Sequence, residues 1–559
     1  MKRVPLLVVS CALALTGCSL SFRPAGSSVE SSQASSATSR KDPPSSESSI
    51  QSSEDDSSDE DSSGLEDSTS TLISASSEAS SSSSQSSSSS KTSSSSDSVP
   101  DTGIATPITE DFQKLFAPRS RITMSLHFSP ASLKAISDYQ STSNGQFNDA
   151  YFPADLTVKL NQDSDPLEFP EVGVRMKGNT SRGQIVYNNG YTLEARHFKV
   201  SLKATFDGEE YDTYSQLRPF KKTWDDDAAR KARKNRNLFG LEKFDLKYVP
   251  RNNTWANDPE QINECTNREI YCYNAFREAG LLAPYANIVD FTFDNGMGSK
   301  SGLLYELIEP IDKEFLKKRF SNSEAKGDLY KCVYNPMGKA DLVREGAVEK
   351  EVVDNVTIGN RVARGKIGVE NNYELYQPIY QLKTNDDNGE DSDFSKMVDY
   401  INAMWTLRYG DASQVDINDF LDVDSFLKFS AVSHLLGNFD DQFYNWNNYY
   451  IYFVPSTGKA IYIPYDWDWS LGLGAWYGVY EGPLTQTTLD GSSPSSVYYN
   501  TYLQEGAMQN QYLAYIQQLK TQVLNIGTYI DLVDDIGIGY EESYQVESYM
   551  ENKLASLKA

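Results

Sequence analysis

From about residue 27 to residue 101 the chain is mostly serine, with scattered Asp, Glu, Lys and Thr and almost no apolar side chain. Such a stretch cannot bury enough surface to offset the entropy of ordering its backbone, so it is expected to be a disordered stalk. Whatever folds must lie outside it. The residues from 107 to 559 are rich in Tyr, Phe and Trp and alternate apolar with polar positions, material for a large core. About 450 residues exceed one ordinary core, so two lobes are expected, with a boundary near residue 335.

Ahead of the stalk, Lys2 and Arg3 precede an apolar run that ends in Leu15-Thr16-Gly17-Cys18. A charged start, an apolar middle and small residues before a cysteine make a signal peptide with a lipobox. Residues 1–18 are the expected leader, and Cys18 is the expected site of lipidation. The run is shorter than the ~20 residues that a membrane-crossing helix needs. A cysteine with more than one acyl chain anchors stably, so a bacterial lipoprotein is expected, held to a membrane outside the cytoplasm. Residues 19–106 then serve as the linker.

Of the five cysteines, Cys11 falls in the leader and Cys18 at its end, which leaves Cys265, Cys272 and Cys332. An odd count makes a poor disulfide framework, and Cys265 and Cys272 lie two turns apart on an expected helix, too far to bridge. They are read as buried thiols. The net charge of −27 argues against a nucleic-acid partner, which would need a dense basic face.

Alternation predicts strands at 122–128, 154–160, 172–176, 197–206 and 243–248, then a helix over 260–279. Two apolar runs, 288–293 and 303–309, flank Asp294-Asn295-Gly296-Met297-Gly298 and should pair as a hairpin. Helical periodicity follows at 393–408 and 415–437. Short strands are predicted at 448–453 and 460–464, and the tail from 496 reads as helical. A sheet-rich half followed by a helix-rich half is an α+β architecture.

The three histidines, His127, His197 and His434, stand alone, without paired His or Cys spacing, so a zinc hydrolase is unsupported. No G-x-S-x-G elbow is present. His434 lies in an apolar helix and reads as a core residue. Gly296 to Ser301 lacks the glycine before lysine that a phosphate loop requires and reads as a turn. The acidic run 386–391 fails the calcium-loop pattern and reads as a solvated loop.

Three segments carry more. Arg175-Met176-Lys177-Gly178-Asn179-Thr180-Ser181-Arg182 runs from a strand into a small polar turn, whose backbone N–H groups and basic flanks suit phosphate. On the next strand, Lys199, Ser201 and Lys203 share one face, the usual mark of a solvated edge. Gly437-Asn438-Phe439-Asp440-Asp441 follows an apolar helix and leads to Asn447-Asn448-Tyr449-Tyr450. Pro464-Tyr465-Asp466-Trp467-Asp468-Trp469-Ser470-Leu471-Gly472 places Asp466 and Asp468 on one side if extended. Carboxylates and an Asn near strand ends are the oxygen donors and base that a hard cation and phosphoryl transfer require.

Together these segments resemble the CotH (spore-coat protein H) kinase-like family. Ordered matches over 122–472 carry the resemblance: Arg175 with Lys177-Gly178-Asn179-Thr180-Ser181, Lys199, Arg268, Tyr305 with Glu309-Pro310-Ile311-Asp312, Gly327-Asp328-Leu329-Tyr330-Lys331, Gly437-Asn438-Phe439-Asp440, Asn448 to Tyr452, and Pro464 to Gly472. Asn447, Leu303, Tyr465 and Leu471 depart from the family's His, Gly, Trp and Phe. The resemblance implies an atypical, bilobal protein-kinase-like fold over 107–559, with a sheet-rich N-lobe and a helix-rich C-lobe. It implies ATP and Mg²⁺ or Mn²⁺ as cofactors. By resemblance Asp440 orients the acceptor hydroxyl, Asn448, Asp466 and Asp468 hold metal, and Lys199 binds phosphates beneath the turn of Lys177 and Gly178 to Ser181. Glu264 or Glu269 would hold Lys199.

The expected activity is transfer of phosphate to serines of secreted or surface proteins, including the chain's own stalk. A second reading keeps the fold without catalysis, as a surface adhesin whose aromatic loops, such as 476–480, bind carbohydrate or a host ligand.

Overall fold

A computed structural model describes residues 104–118, 120, 122–140, 150–177, 197–249, 267–294, 298–333, 340–342, 379–385, 395–438, 440–443, 445–473 and 506–557. The expected leader with Cys18, the serine-rich tract, Gly178 to Ser181, Glu264, Cys265 and residues 386–391 and 476–480 lie outside these residues.

The chain is α+β. Seven strands come first: β1 (Thr123–His127), β2 (Phe152–Lys159), β3 (Leu167–Met176), β4 (Phe198–Ser201), β5 (Lys243–Val249), β6 (Ala286–Asp294) and β7 (Ser299–Ile308). They close a barrel in the order β1-β2-β3-β4-β5-β7-β6. Closure comes from a parallel pairing of β1 with β6, Thr123 opposite Asp290 through His127 opposite Asp294. The anticipated hairpin is there, with Asp294 paired to Ser299. Every second residue points inward, so Leu126, Val174, Phe198, Leu246, Tyr305 and Leu307 fill the barrel. The alternate positions Arg175, Lys199, Asp245 and Lys247 lie on its outer wall, where Lys199 stands opposite both Arg175 and Asp245.

A second sheet, ordered β11-β10-β8-β9, consists of β8 (Leu329–Cys332), β9 (Tyr380–Leu382), β10 (Tyr449–Phe453) and β11 (Ala460–Pro464). The early helices are α1 (Glu110–Leu115), α2 (Pro130–Gln140), α3 (Glu210–Thr213), α4 (Asp227–Lys234), α5 (Arg268–Glu278) and α6 (Lys313–Lys317). Those that follow β9 are α7 (Ser395–Tyr409), α8 (Val423–Leu436), α9 (Ala507–Val523), α10 (Ile526–Ile536) and α11 (Tyr540–Ser556). The later helices share an apolar cluster with α5 and one face of the second sheet, apart from the barrel's interior.

Two sequence expectations change. The strand expected over 197–206 stops at Ser201, where the chain turns. The helix expected from 415 begins only at Val423, because aspartates upstream bind backbone instead. Asp411 accepts the Ser413 N–H and Asp416 the Asn418 N–H, which closes short 3₁₀ turns, and Asp422 caps α8 through the Ser425 N–H. His434 is fully buried in α8, and Cys272 and Cys332 are buried free thiols, as read.

Candidate active site

The outer wall of the barrel meets α5 and the segment after β11 around one ammonium. Lys247, on β5, reaches Glu269 Oε2 at 2.7 Å, Asp466 Oδ1 at 2.5 Å and Asp468 Oδ2 at 3.0 Å. Glu269 is fixed from other sides: it accepts the Tyr273 hydroxyl and the Trp467 N–H, while Tyr273 in turn accepts the Asp466 N–H at 3.0 Å. Glu306 faces the group from β7, opposite Lys247 in the strand register.

Charge explains the protonation states. Burial alone would lower the Lys247 pKa, but Asp466, Asp468 and Glu269 outweigh it and hold the ammonium well above its usual range. Burial pushes Asp466 upward, yet its side chain stays 38% exposed, and Lys247 with Lys177 holds this carboxyl below its usual range. Asp468 goes the other way: burial, against the pull of Lys247, brings it to about 7. Glu306 is raised well above the usual carboxyl value by burial and then by the charge of Glu269.

A second grouping adjoins the first. Lys177, just beyond β3, pairs with Asp245 at 2.9 Å and lies 5.2 Å from the centre of the Tyr465 ring. Lys331, on β8, sits 4.4 Å from the same ring. Burial, then the charges of Lys177 and Lys383, lower Lys331 to about 7.

Asp440 lies in the loop after α8. Its carboxylate accepts side-chain amides from Asn445, Asn447 and Asn448, the last at 2.8 Å, and its N–H donates to Asn438 Oδ1. Burial, with the charge of Asp466 nearby, raises its pKa from the usual value against those three donors. Asn438 Nδ2 reaches the Asp466 backbone oxygen at 3.4 Å. Asn448 and Asp466 adopt left-handed backbone, φ 57° and 58°, a conformation that costs energy and recurs where side chains are aimed for function.

Residues 205–558, more than half of the chain, match the family model for CotH kinase protein. The chain belongs to the CotH kinase family. No curated protein matches it. Membership brings a kinase-like domain and, in general, nucleotide and metal use.

Asp440, Asn448, Asp466, Asp468 and Lys177 lie around one region of this CotH kinase domain. Glu269, one of the two glutamates expected to hold Lys199, instead holds Lys247 on the next strand, while Lys199 stands on β4 opposite Asp245 and Glu264 lies outside the described residues. The physical reason is where α5 packs: it lies against β6, three strands beyond β4 but two beyond β5 in the barrel order, so its carboxylate meets the outward lysine of β5. Sequence reasoning also missed Asp245, Glu306 and Tyr273. The one available signal was the alternation Lys243, Asp245, Lys247 on β5, which matches the pattern on β4.

Among the described residues, no three carboxylates stand together as a ready metal cage. The donor set nonetheless fits a hard cation. Asp466, Asp468 and the Asn448 amide offer oxygen, the carboxylates around Lys247 outnumber it, and the buried Asp245 Oδ1 has no hydrogen-bond partner.

Proposed function

We propose that this domain transfers the terminal phosphoryl group of ATP to serine hydroxyls of secreted or surface proteins. It would do so from a bilobal, protein-kinase-like fold tethered at a membrane through Cys18, with its own serine-rich stalk among the acceptors. The grouping that carries the reading is Lys247, held by Glu269 beside Asp466 and Asp468, with Asp440 and Asn448 in the adjoining loop.

Phosphoryl transfer asks a protein chiefly to position groups and neutralise charge. Lys247 and Lys177 are the cations offered to phosphate. Asp440 orients the acceptor: the serine oxygen bonds to the terminal phosphorus, the bond to the bridging oxygen breaks, and its electron pair leaves with ADP. The hydroxyl proton passes to the Asp440 carboxylate, and a pKa raised by burial suits that group to take it. Asn448, Asp466 and Asp468 would hold Mg²⁺ or Mn²⁺, which when bound neutralises phosphate oxygens. Lys199 lies next to Asp245 and is left outside the reacting groups. The density of serine between residues 27 and 101 supplies acceptors in the same chain.

Incubating the protein with labelled ATP and Mg²⁺ or Mn²⁺ tests this. Asp440→Ala and Asp466→Ala are each expected to reduce incorporation by roughly 10²–10⁴-fold. Equal incorporation in all three proteins abandons the reading. A catalytically silent adhesin on the same fold would bind no nucleotide, so a melting temperature that does not rise with ATP and metal would favour that alternative.

A further inference from the structure

Three side-chain amides converge on one carboxylate. Asn445 Nδ2 donates to Asp440 Oδ1, whereas Asn447 and Asn448 both donate to Oδ2, at 3.2 and 2.8 Å. The segment that carries them is tied down independently. The Asp441 backbone oxygen accepts the N–H groups of both Asn445 and Asn447, at 3.1 and 3.2 Å, and the Ala340 N–H reaches the Trp446 oxygen at 3.1 Å. Trp446 takes left-handed backbone, φ 53°, a conformation a bulky residue adopts only when its surroundings impose it, and Asn448 takes it too, φ 57°, as asparagine readily does. The turn is thus held in the form that aims 445, 447 and 448 at one point.

An ionised carboxylate has about four sites for accepting hydrogen bonds. Amides only donate through nitrogen, so three of those sites are committed inside the loop. Asn448 is the residue assigned above to the cation; Asn445 and Asn447 have no such duty. We infer that Asn445 and Asn447 are positioning residues, which lock the Asp440 carboxylate in one orientation and leave a single acceptor direction for the serine hydroxyl. This rests on the phosphoryl-transfer reading and deepens it. Without the clamp the carboxylate can rotate, and the hydroxyl meets it in fewer productive poses, so the loss falls on turnover and not on nucleotide binding.

The test uses the full chain, ATP with Mg²⁺, and a peptide with the sequence of residues 81–90 as acceptor. Asn445→Ala and Asn447→Ala are expected to lower kcat, the double variant by on the order of a hundredfold. The KM for ATP and the ATP-induced rise in melting temperature should stay at wild-type values. Asn447→His, whose Nδ1–H can take the place of the amide donor, should recover most of the turnover. Wild-type kcat in the double variant overturns the inference. So does a loss shared equally by kcat and ATP binding, or one that Asn447→His fails to recover, since either marks a merely structural role. Asp440→Asn run alongside separates the two levels: if it alone abolishes transfer, only the clamp has failed, and if it leaves transfer intact, the parent reading falls and the clamp with it.

Discussion

Lys247 is a largely buried ammonium, 13% exposed, that answers three carboxylates, and its removal leaves Glu269, Asp466 and Asp468 facing one another. Breaking a buried ion pair by deleting one partner costs about 3–5 kcal/mol. Lys247→Met should fall near the low end, about 3 kcal/mol by urea denaturation, because Asp466 keeps 38% of its side chain open to solvent. Lys199→Met, on the half-buried neighbouring position, should cost less than about 1 kcal/mol. The opposite ranking would restore Lys199 as the paired lysine. The sequence did not separate the two because β4 and β5 both alternate apolar residues with lysines, and alternation names a face without naming what packs on it. The acidic residues were easier to read: Asp440 follows the glycine that ends an apolar helix, and Asp466 and Asp468 alternate with aromatic residues just past a predicted strand, where carboxylates are poor core material. His434 provides a residue-scale pH prediction. Burial, then the charge of Lys553, holds its pKa well below the usual value. The unfolded chain takes up this proton below about pH 6.5 and the folded chain does not. Its contribution is therefore complete above that pH and is lost as the pH falls through it. Between pH 7 and 5, the wild type should lose more of its melting temperature than His434→Gln, and parallel curves would exclude His434 as a source of acid lability.

At the scale of elements, α8 is what delivers Asp440. Its start is fixed by Asp422 and its end by Gly437, which adopts φ 64°, and the sequence marked that end correctly because glycine is the residue that tolerates this conformation. Beyond the helix the Leu471 N–H donates to the Leu436 oxygen at 2.9 Å, so the end of α8 and the segment with Asp466 and Asp468 are joined directly. A side chain at 437 meets two obstacles. Left-handed backbone costs an ordinary residue about 1–2 kcal/mol, and a new Cβ would strike the hydroxyl of Tyr549, which donates to the Leu435 oxygen at 3.0 Å. Gly437→Ala should therefore lose at least about 1–2 kcal/mol of stability, and phosphoryl transfer should fall with it because Asn438 and Asp440 follow directly. Unchanged stability and activity would show that the end of α8 does not place the loop. The start of α8 was misread in sequence for a related reason: periodicity reports which residues could share a helical face, but not that Asp411 and Asp416 spend their carboxylates on local backbone first.

The whole molecule depends on a pairing that local patterns could not reveal. Strand positions are legible from alternation, and antiparallel neighbours from the turns between them. The parallel contact of β1 with β6 has neither signal, since the two strands are far apart in the chain and their faces look alike to any other strand. This contact closes the sheet into a barrel. It has a consequence for where the folding unit begins. The family match starts at residue 205, after β1, β2, β3 and β4 have already been supplied. A chain that begins there keeps three of the seven strands and leaves β5 and β6 as open edges. It also uncovers the inward faces of Phe244, Leu246, Phe291, Tyr305 and Leu307, all buried in the complete barrel. Burial of each such side chain contributes roughly 1.5–3 kcal/mol, so the five together are comparable with the about 5–15 kcal/mol by which a whole domain is stable. Residues 205–559 alone should accordingly aggregate or show no cooperative melting transition, whereas residues 104–559 should melt cooperatively and bind nucleotide. A soluble, cooperatively folded chain from 205 would mean that the first four strands are dispensable and that the barrel does not hold Lys247 in place.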